Sequence, residues 1–336
     1  MPTNISYATQ ITGAPSLETL VLHILPHQTA HGDGIINVNG LTAALNAKGT
    51  TEVIDGGLEP WAGIMYAESS NAKWQGRDEE MNATTQDPNR RLRWQWAIFT
   101  NSIVLNKLDK AMNKGRANIK PLLESLRRQA TSTNENQFNS GLWKASPAST
   151  EINSIPSFIS TTPTTGSIGG LTRSGGAYLQ NGTYTTSVTD LGSEAGIGAL
   201  MEAQSLNQIG TSVADIVVAS VPRWSSLASF LTANMRYRPS DKLAQLKIPS
   251  INLGFADVVS ENTSVLGGAN TINVSRVYLI NSKFMWIKVL KDMAGNWEVN
   301  WERVNKSLNM ALYYTWAGQL VTNLPRAHVV MTSVTG

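Results

Sequence analysis

Cysteine is absent from all 336 residues. That excludes disulfides, thiolate metal sites and a cysteine nucleophile. Charge is scarce as well: 15% of residues are charged, against about 25% in an average globular chain. Lys and Arg number 27 and Asp and Glu 24, so the formal excess is only +3. An excess that small does not support nucleic-acid binding on charge alone. No apolar run approaches the roughly eighteen residues of a membrane helix, and the most apolar early stretch, residues 20–26, is far too short. Residues 1–12 carry no Lys or Arg and no apolar stretch, so no signal peptide is expected. The reading is a soluble chain, not exported by the general route.

What fills the space is Ser, Thr, Asn and Gln, beside a 41% hydrophobic fraction. The length suits two or three domain-sized units, or one large elaborated domain with an ample core. Residues 1–50 read as an extended arm with one short helix over 16–24, capped by Ser16 and broken at Pro26. Residues 51–106 read as a long two-stranded ribbon with a polar tip over 69–89. Its return strand is the clearest signal: Leu92, Trp94, Trp96 and Ile98 alternate with Arg91, Arg93 and Gln95, one face dry and one wet. Such a hairpin is unstable alone in water and must lie on something.

The strongest helix signal covers residues 116–138. Ile119, Leu122, Leu123, Leu126 and Ala130 form one apolar stripe, and Pro121 is tolerated only in a first turn, so the helix is expected over about 118–138. Residues 144–190 read as loops and short strands, residues 194–209 as a second helix, 216–219 as a buried strand and 225–237 as a helix. Residues 276–290 and the period-two run Trp297, Val299, Trp301 read as strands, as does the segment 328–334.

The residue pattern yields no enzyme. His23, His27 and His31 recur at i, i+4, i+8 with Asp33 behind them, a spacing that would share one helix face and suit zinc. Pro26 argues against that continuous helix. His328 is the only other histidine, and nothing links any of the four to a Ser and an Asp. Gly166-Ser167-Ile168-Gly169-Gly170 lacks the spacing and setting of a dinucleotide loop and reads as a turn. Arg90, Arg91 and Arg93 beside Trp94 and Trp96 look like a nucleic-acid stacking surface, but arginines on the wet face of an edge strand more simply keep it from aggregating. The ten tryptophans invite a carbohydrate-binding reading; Trp94, Trp96, Trp286, Trp297 and Trp301 fall in alternating strands, where packing is the usual role. No catalytic residue, metal site or cofactor is expected.

Four local features, in order, resemble the major capsid proteins of tailed bacteriophages over nearly the whole chain. Val53-Ile54-Asp55-Gly56-Gly57 leads into a polar-tipped ribbon like that family's extended loop. Asn113-x-Gly115 before the 119–130 helix is similar to the approach to its spine helix. Leu142-Trp143 precedes a Ser/Thr-rich stretch and Ile168-Gly169-Gly170-Leu171-Thr172-Arg173-Ser174. Val277-Tyr278-Leu279-Ile280-Asn281, Trp316-x-Gly318-x-Leu320 and Leu324-Pro325-Arg326-Ala327-His328 resemble its closing strands.

The resemblance implies an α+β capsid fold: an N-terminal arm (1–50), an extended β-hairpin loop (51–106), a peripheral domain with the spine helix (107–211 and 309–336) and an axial domain (212–308). It implies a structural, non-enzymatic protein that forms hexamers and pentamers of an icosahedral head around double-stranded DNA, assembled in a bacterial host's cytoplasm and present in the virion. Its partners would be itself, a portal protein, a separate scaffolding protein, cement or decoration proteins, and packaged DNA through weak non-specific contact, with no membrane. Candidate inter-subunit contacts in the loop tip are Lys73, Trp74, Arg77, Glu79 and Glu80. Candidate interior-facing basic residues are Arg116, Lys120, Arg127 and Arg128. The same fold in an encapsulin-like shell would enclose protein cargo instead. A different class, an aromatic-rich carbohydrate-binding or glycan-cleaving protein, would need clustered acids; Asp78-Glu79-Glu80 is available, but a ribbon tip is a poor place for desolvated acid–base chemistry. A basic nucleic-acid binder, the third class, fits poorly with +3.

Overall fold

Two β-sheets organise the chain in the computed structural model, which describes residues 40–65, 69, 71–77, 79–81, 84–85, 89–108, 116–234, 250–261, 272–297, 302–303 and 309–334. The expected helix over 16–24 and the residues His23, His27, His31 and Asp33 lie outside them, as do Val299 and Trp301.

The first sheet gathers strands distant in sequence: β1 (Thr51–Ile54), β4 (Ala97–Asn106), β12 (Met285–Trp297), β13 (Glu302–Arg303) and β14 (Asn309–Thr322). β14 is its spine. It pairs antiparallel with β4 over all ten residues of that strand, and with β12 on its other side. β1 adds parallel to β12. The second sheet runs β7 (Gly182–Tyr184), β15 (Val329–Met331), β11 (Val277–Ile280), β8 (Ile216–Ser220), β10 (Asp257–Glu261) and β9 (Ser250–Asn252). Its centre is dry on both faces. Ile216 and Val218 of β8 pack into one core cluster and Val217 and Ala219 into another, as alternation in a doubly covered strand requires.

Helices α4 (Glu194–Leu206) and α5 (Val221–Asn234) cover one face of this second sheet. Ser193 caps α4 by accepting the Gly196 N–H at 3.0 Å, and Pro222 sits in the first turn of α5, where its missing N–H costs nothing. α5 therefore starts four residues before its expected beginning at 225. Helix α1 (Gly40–Ala47) packs against β8 and β10 on the other face. Gly40 sits so close to β10 that a Cβ there would stand 2.4 Å from the Ser260 carbonyl oxygen. Leu41 and Leu45 are wholly buried, each contributing about 1.5–3 kcal/mol of apolar burial. The expectation of an extended arm through residue 50 is corrected here: residues 40–47 form a helix whose Gly40–Leu45 are buried in the core.

Helix α2 (Arg116–Trp143) is longer than expected. Its polar stretch 131–136 stays helical because the polar groups have partners. Asn134, 2% exposed, accepts the side-chain amide of Asn101 on β4, and the Thr133 hydroxyl returns to the Gln129 carbonyl at 2.8 Å. Beyond it Phe138 meets Trp316 edge-on at 5.2 Å, and Trp143 stacks at 5.4 Å on Tyr278, fastening α2 to both sheets.

The long ribbon expected over 51–106 is also corrected. Only β2 (Trp61–Met65) and β3 (Asn89–Arg93) pair with each other; β1 and β4 join the first sheet. The alternation breaks between Trp96 and Ala97. Ala97, Ile103 and Leu105 then face inward and Ile98 is 59% exposed, the reverse of its expected side. The remaining elements, a short helix α3 (Ile155–Phe158) and a hairpin of β5 (Ser167–Ile168) and β6 (Leu171–Thr172), fall in the expected loop region. The limits 211/212 and 308/309 do not follow the sheets, since β12 pairs with β14 and β15 with β11.

Candidate assembly surface

The β2–β3 hairpin is half buried at its base. Ala62, Ile64 and Leu92 face inward, while Trp61 and Met65 stand half exposed on the other side. The inner face rests on the β5–β6 turn. Gly169, at φ 53°, lies where a Cβ would fall 2.6 Å from the Leu92 Cβ, and its carbonyl accepts the Arg93 N–H at 3.0 Å. Only glycine meets both the left-handed backbone and the close approach. On the outer face the Arg91 guanidinium lies 4.9 Å from the Trp61 ring centroid, and Lys288 donates to the Trp61 carbonyl at 3.0 Å. Arg91 of β3 thus covers its own aromatic neighbour.

The tip holds its shape through local polar bonds. Asn71 and Thr84 exchange hydrogen bonds across it at 2.7 Å. The Gln75 amide donates to the Glu79 and Glu80 carbonyls, and the Gly76 N–H to the Glu79 carboxylate. Of the five tip candidates, the fold brings Lys73 and Glu79 together at 3.7 Å, with both side chains about half exposed, so the pair contributes little to stability. Arg77 and Glu80 are exposed without joining it. Trp74 is fully exposed and Met81 82% exposed. Among the described residues nothing packs over these two large apolar side chains.

The four basic candidates lie on α2. Arg116, Lys120 and Arg127 fall along one helix side by spacing, with Arg128 beside them; Arg127 is half buried and Arg128 exposed.

The buried polar groups are structural. Arg173, 2% exposed, donates to the carbonyls of Ser157 and Phe158 at 2.7 and 2.9 Å, and to Leu179 O and Asn181 Oδ1. Burial draws its guanidinium pKa down to about 10. No carboxylate accepts from it in these bonds; it ties helix α3 to the turn after β6. His328 is fully buried between the sheets, and burial holds its pKa down to about 3. A neutral ring with both nitrogens engaged is not a general base for any hydrolase. Gln319, 1% exposed, accepts the Asn153 N–H and donates to Gln95 O. Sequence reading gave none of the three a structural role: His328 was weighed only as a catalytic base, Arg173 appeared only within a motif, and Gln319 was not considered. One signal existed for Arg173: it is the only charged residue between Glu151 and Asp190. Among the described residues no cluster of three or more metal-ligating side chains occurs, and no helix is long and apolar enough to cross a membrane.

No protein-family model matches the chain, and no curated protein matches it. Solved structures do. The capsid asymmetric unit of cyanophage A-1(L) superposes with a TM-score of 0.56 at 10% identity, covering 85% of this chain and 89% of that one. The capsid of a native GTA particle gives 0.55 at 10% identity, over 87% and 90%. The capsid of Myoviridae phage XM1 gives 0.52 at 14% identity, over 88% and 92%. The chain has the major capsid fold of tailed phages. The expected α+β class holds.

Proposed function

We propose that this chain is the structural subunit of an icosahedral phage head, forming hexamers and pentamers that enclose double-stranded DNA. The observation that carries the reading is the fold itself, shared over 85–88% of the chain with several capsid structures. The exposed tip supports it: Trp74 and Met81 are uncovered among the described residues, as a surface for a neighbouring subunit would be. In this reading Lys73, Trp74, Arg77, Glu79 and Glu80 contact a neighbouring subunit. Arg116, Lys120, Arg127 and Arg128 face the packaged DNA. The peripheral domain is α2 with the first sheet, the axial domain the second sheet with α4 and α5, and the arm precedes residue 40. Heterologous contacts between copies close into rings, and rings join into a shell. The role is structural rather than catalytic, with a portal protein, a separate scaffolding protein and decoration proteins as partners and the virion as location.

The test is size-exclusion chromatography with negative-stain microscopy, on the protein alone and with its neighbouring genes. Closed shells or six-fold rings are expected. A monomer under both conditions overturns the reading. Nuclease-protected nucleic acid inside the shells distinguishes a DNA head from a protein-filled compartment.

A further inference from the structure

A pocket of about 260 Å³ opens where four segments distant in sequence meet. Residues 63–65 of β2 supply one wall. Tyr178 between β6 and β7, Ile209 after α4, and Asn323, Leu324 and Arg326 after β14 supply the others. No acidic side chain lines it. Two of its polar groups lack the partner their chemistry calls for. The Arg326 guanidinium is exposed, lies 5.8 Å from the Tyr178 ring centroid, and belongs to no ion pair among the described residues. Asn323 Oδ1 is buried, and no described group donates to it. The turn that carries both residues is otherwise tied down. The Asn323 N–H donates to the Phe284 carbonyl at 3.3 Å, and the Arg326 carbonyl accepts the Asn207 side-chain amide at 2.6 Å. A cation without an anion and a buried acceptor without a donor, set beside Ile64, Ile209 and Leu324, are the few convergent polar groups that mark a ligand site.

We propose that this pocket binds a small organic carboxylate that also carries a hydroxyl or N–H donor. The carboxylate pairs with Arg326, whose planar fork suits two parallel hydrogen bonds. The donor satisfies Asn323 Oδ1. The apolar body of the ligand lies against Ile64, Ile209 and Leu324. One cation selects a monoanion: a phosphate dianion would keep an uncompensated charge against apolar walls. The volume suits a molecule of roughly ten non-hydrogen atoms, at the small end of ligand sites. One subunit supplies every group, so the inference is independent of the assembly reading.

The probe is para-hydroxyphenylacetate, which has a carboxylate, an apolar ring and a hydroxyl. It is titrated into the full-length protein by calorimetry and ligand-observed NMR. Saturable one-site binding is expected, with a dissociation constant on the order of 0.1–1 mM for a ligand this small. Arg326→Gln, an exposed position, is expected to weaken it at least about tenfold with the urea midpoint unchanged, and para-hydroxyphenylacetamide, which lacks the charge, to show the same loss with the unaltered protein. Phenylacetate, without the hydroxyl, tests the Asn323 contact with no substitution at all, and weaker binding than the parent probe is expected. The absence of saturable binding overturns the proposal, as does binding that neither Arg326→Gln nor the uncharged amide weakens. Equal binding of phenylacetate refutes the donor to Asn323. Binding by free subunits that vanishes in assembled shells places a neighbour's side chain in the pocket and overturns the proposal as well.

Discussion

The Asn281 backbone N–H donates to Nδ1 of His328 across 3.2 Å. That bond fixes the tautomer: the proton sits on Nε2, which points 3.2 Å toward the Thr322 hydroxyl, and that hydroxyl donates to the Phe284 carbonyl at 2.7 Å. The chain of bonds joins the end of β11, the start of β12, the end of β14 and the start of β15. It is the knot between the two sheets.

Protonating His328 would place a donor against the Asn281 N–H inside the core. Its folded pKa of about 3 lies below the ordinary 6.5. For a histidine held neutral, the stabilisation is complete above 6.5 and is lost as pH falls toward 3, because the unfolded chain takes up the proton first. Between pH 7.5 and 5.0 this residue alone removes about 2 kcal/mol of subunit stability. Urea midpoints at the two pH values measure it. His328→Gln, less stable at both, shows the shallower fall; an equal fall in both proteins refutes the neutral ring.

Arg173→Ala takes the guanidinium from the carbonyls of Ser157, Phe158 and Leu179 and from Asn181 Oδ1, which keeps the Ser160 N–H, and opens the anchor of helix α3. The expected loss is about 3 kcal/mol or more, read from the urea midpoint. Arg173→Lys rescues only part of it, because an ammonium cannot span both sides of the fork. Full rescue by lysine would show that charge rather than geometry matters.

Gly169→Ala meets two obstacles at once, a positive φ and the Leu92 side chain 2.6 Å away. A loss of about 1–3 kcal/mol is expected. Amide exchange should rise first at Arg93, whose N–H bonds the Gly169 carbonyl. Uniform loss across the subunit would contradict a role confined to the hairpin base.

Trp74→Ala removes a ring that is fully exposed among the described residues. Subunit stability should stay within about 0.5 kcal/mol of the parent. Assembly should need a higher protein concentration, as light scattering reads directly. Deleting residues 69–88 should abolish assembly while leaving a folded subunit; normal particles from either variant dissociate the tip from subunit contacts.

Local pattern alone set much of this protein. The stripe ending at Leu126 and Ala130 announced α2, the glycine pair at 169 and 170 announced a turn, and the apolar run at 216–219 announced a strand dry on both sides. Periodicity and turn chemistry act within a few residues, so they are legible in the sequence. So were the scarcity of charge and the resemblance in feature order to capsid proteins, from which the fold was expected. What only the tertiary structure decided depends on partners far apart in the chain. The polar stretch 131–136 stays helical because Asn101 waits for Asn134. Residues 40–47 are core because β10 accepts Gly40 against Ser260. Ile98 faces out because β4 pairs with β14, more than two hundred residues later, and the pairing shifts the alternation by one place. Arg173 and His328 are polar by composition and buried by topology. Their cost is met by carbonyls and amides that only the closed fold brings within reach.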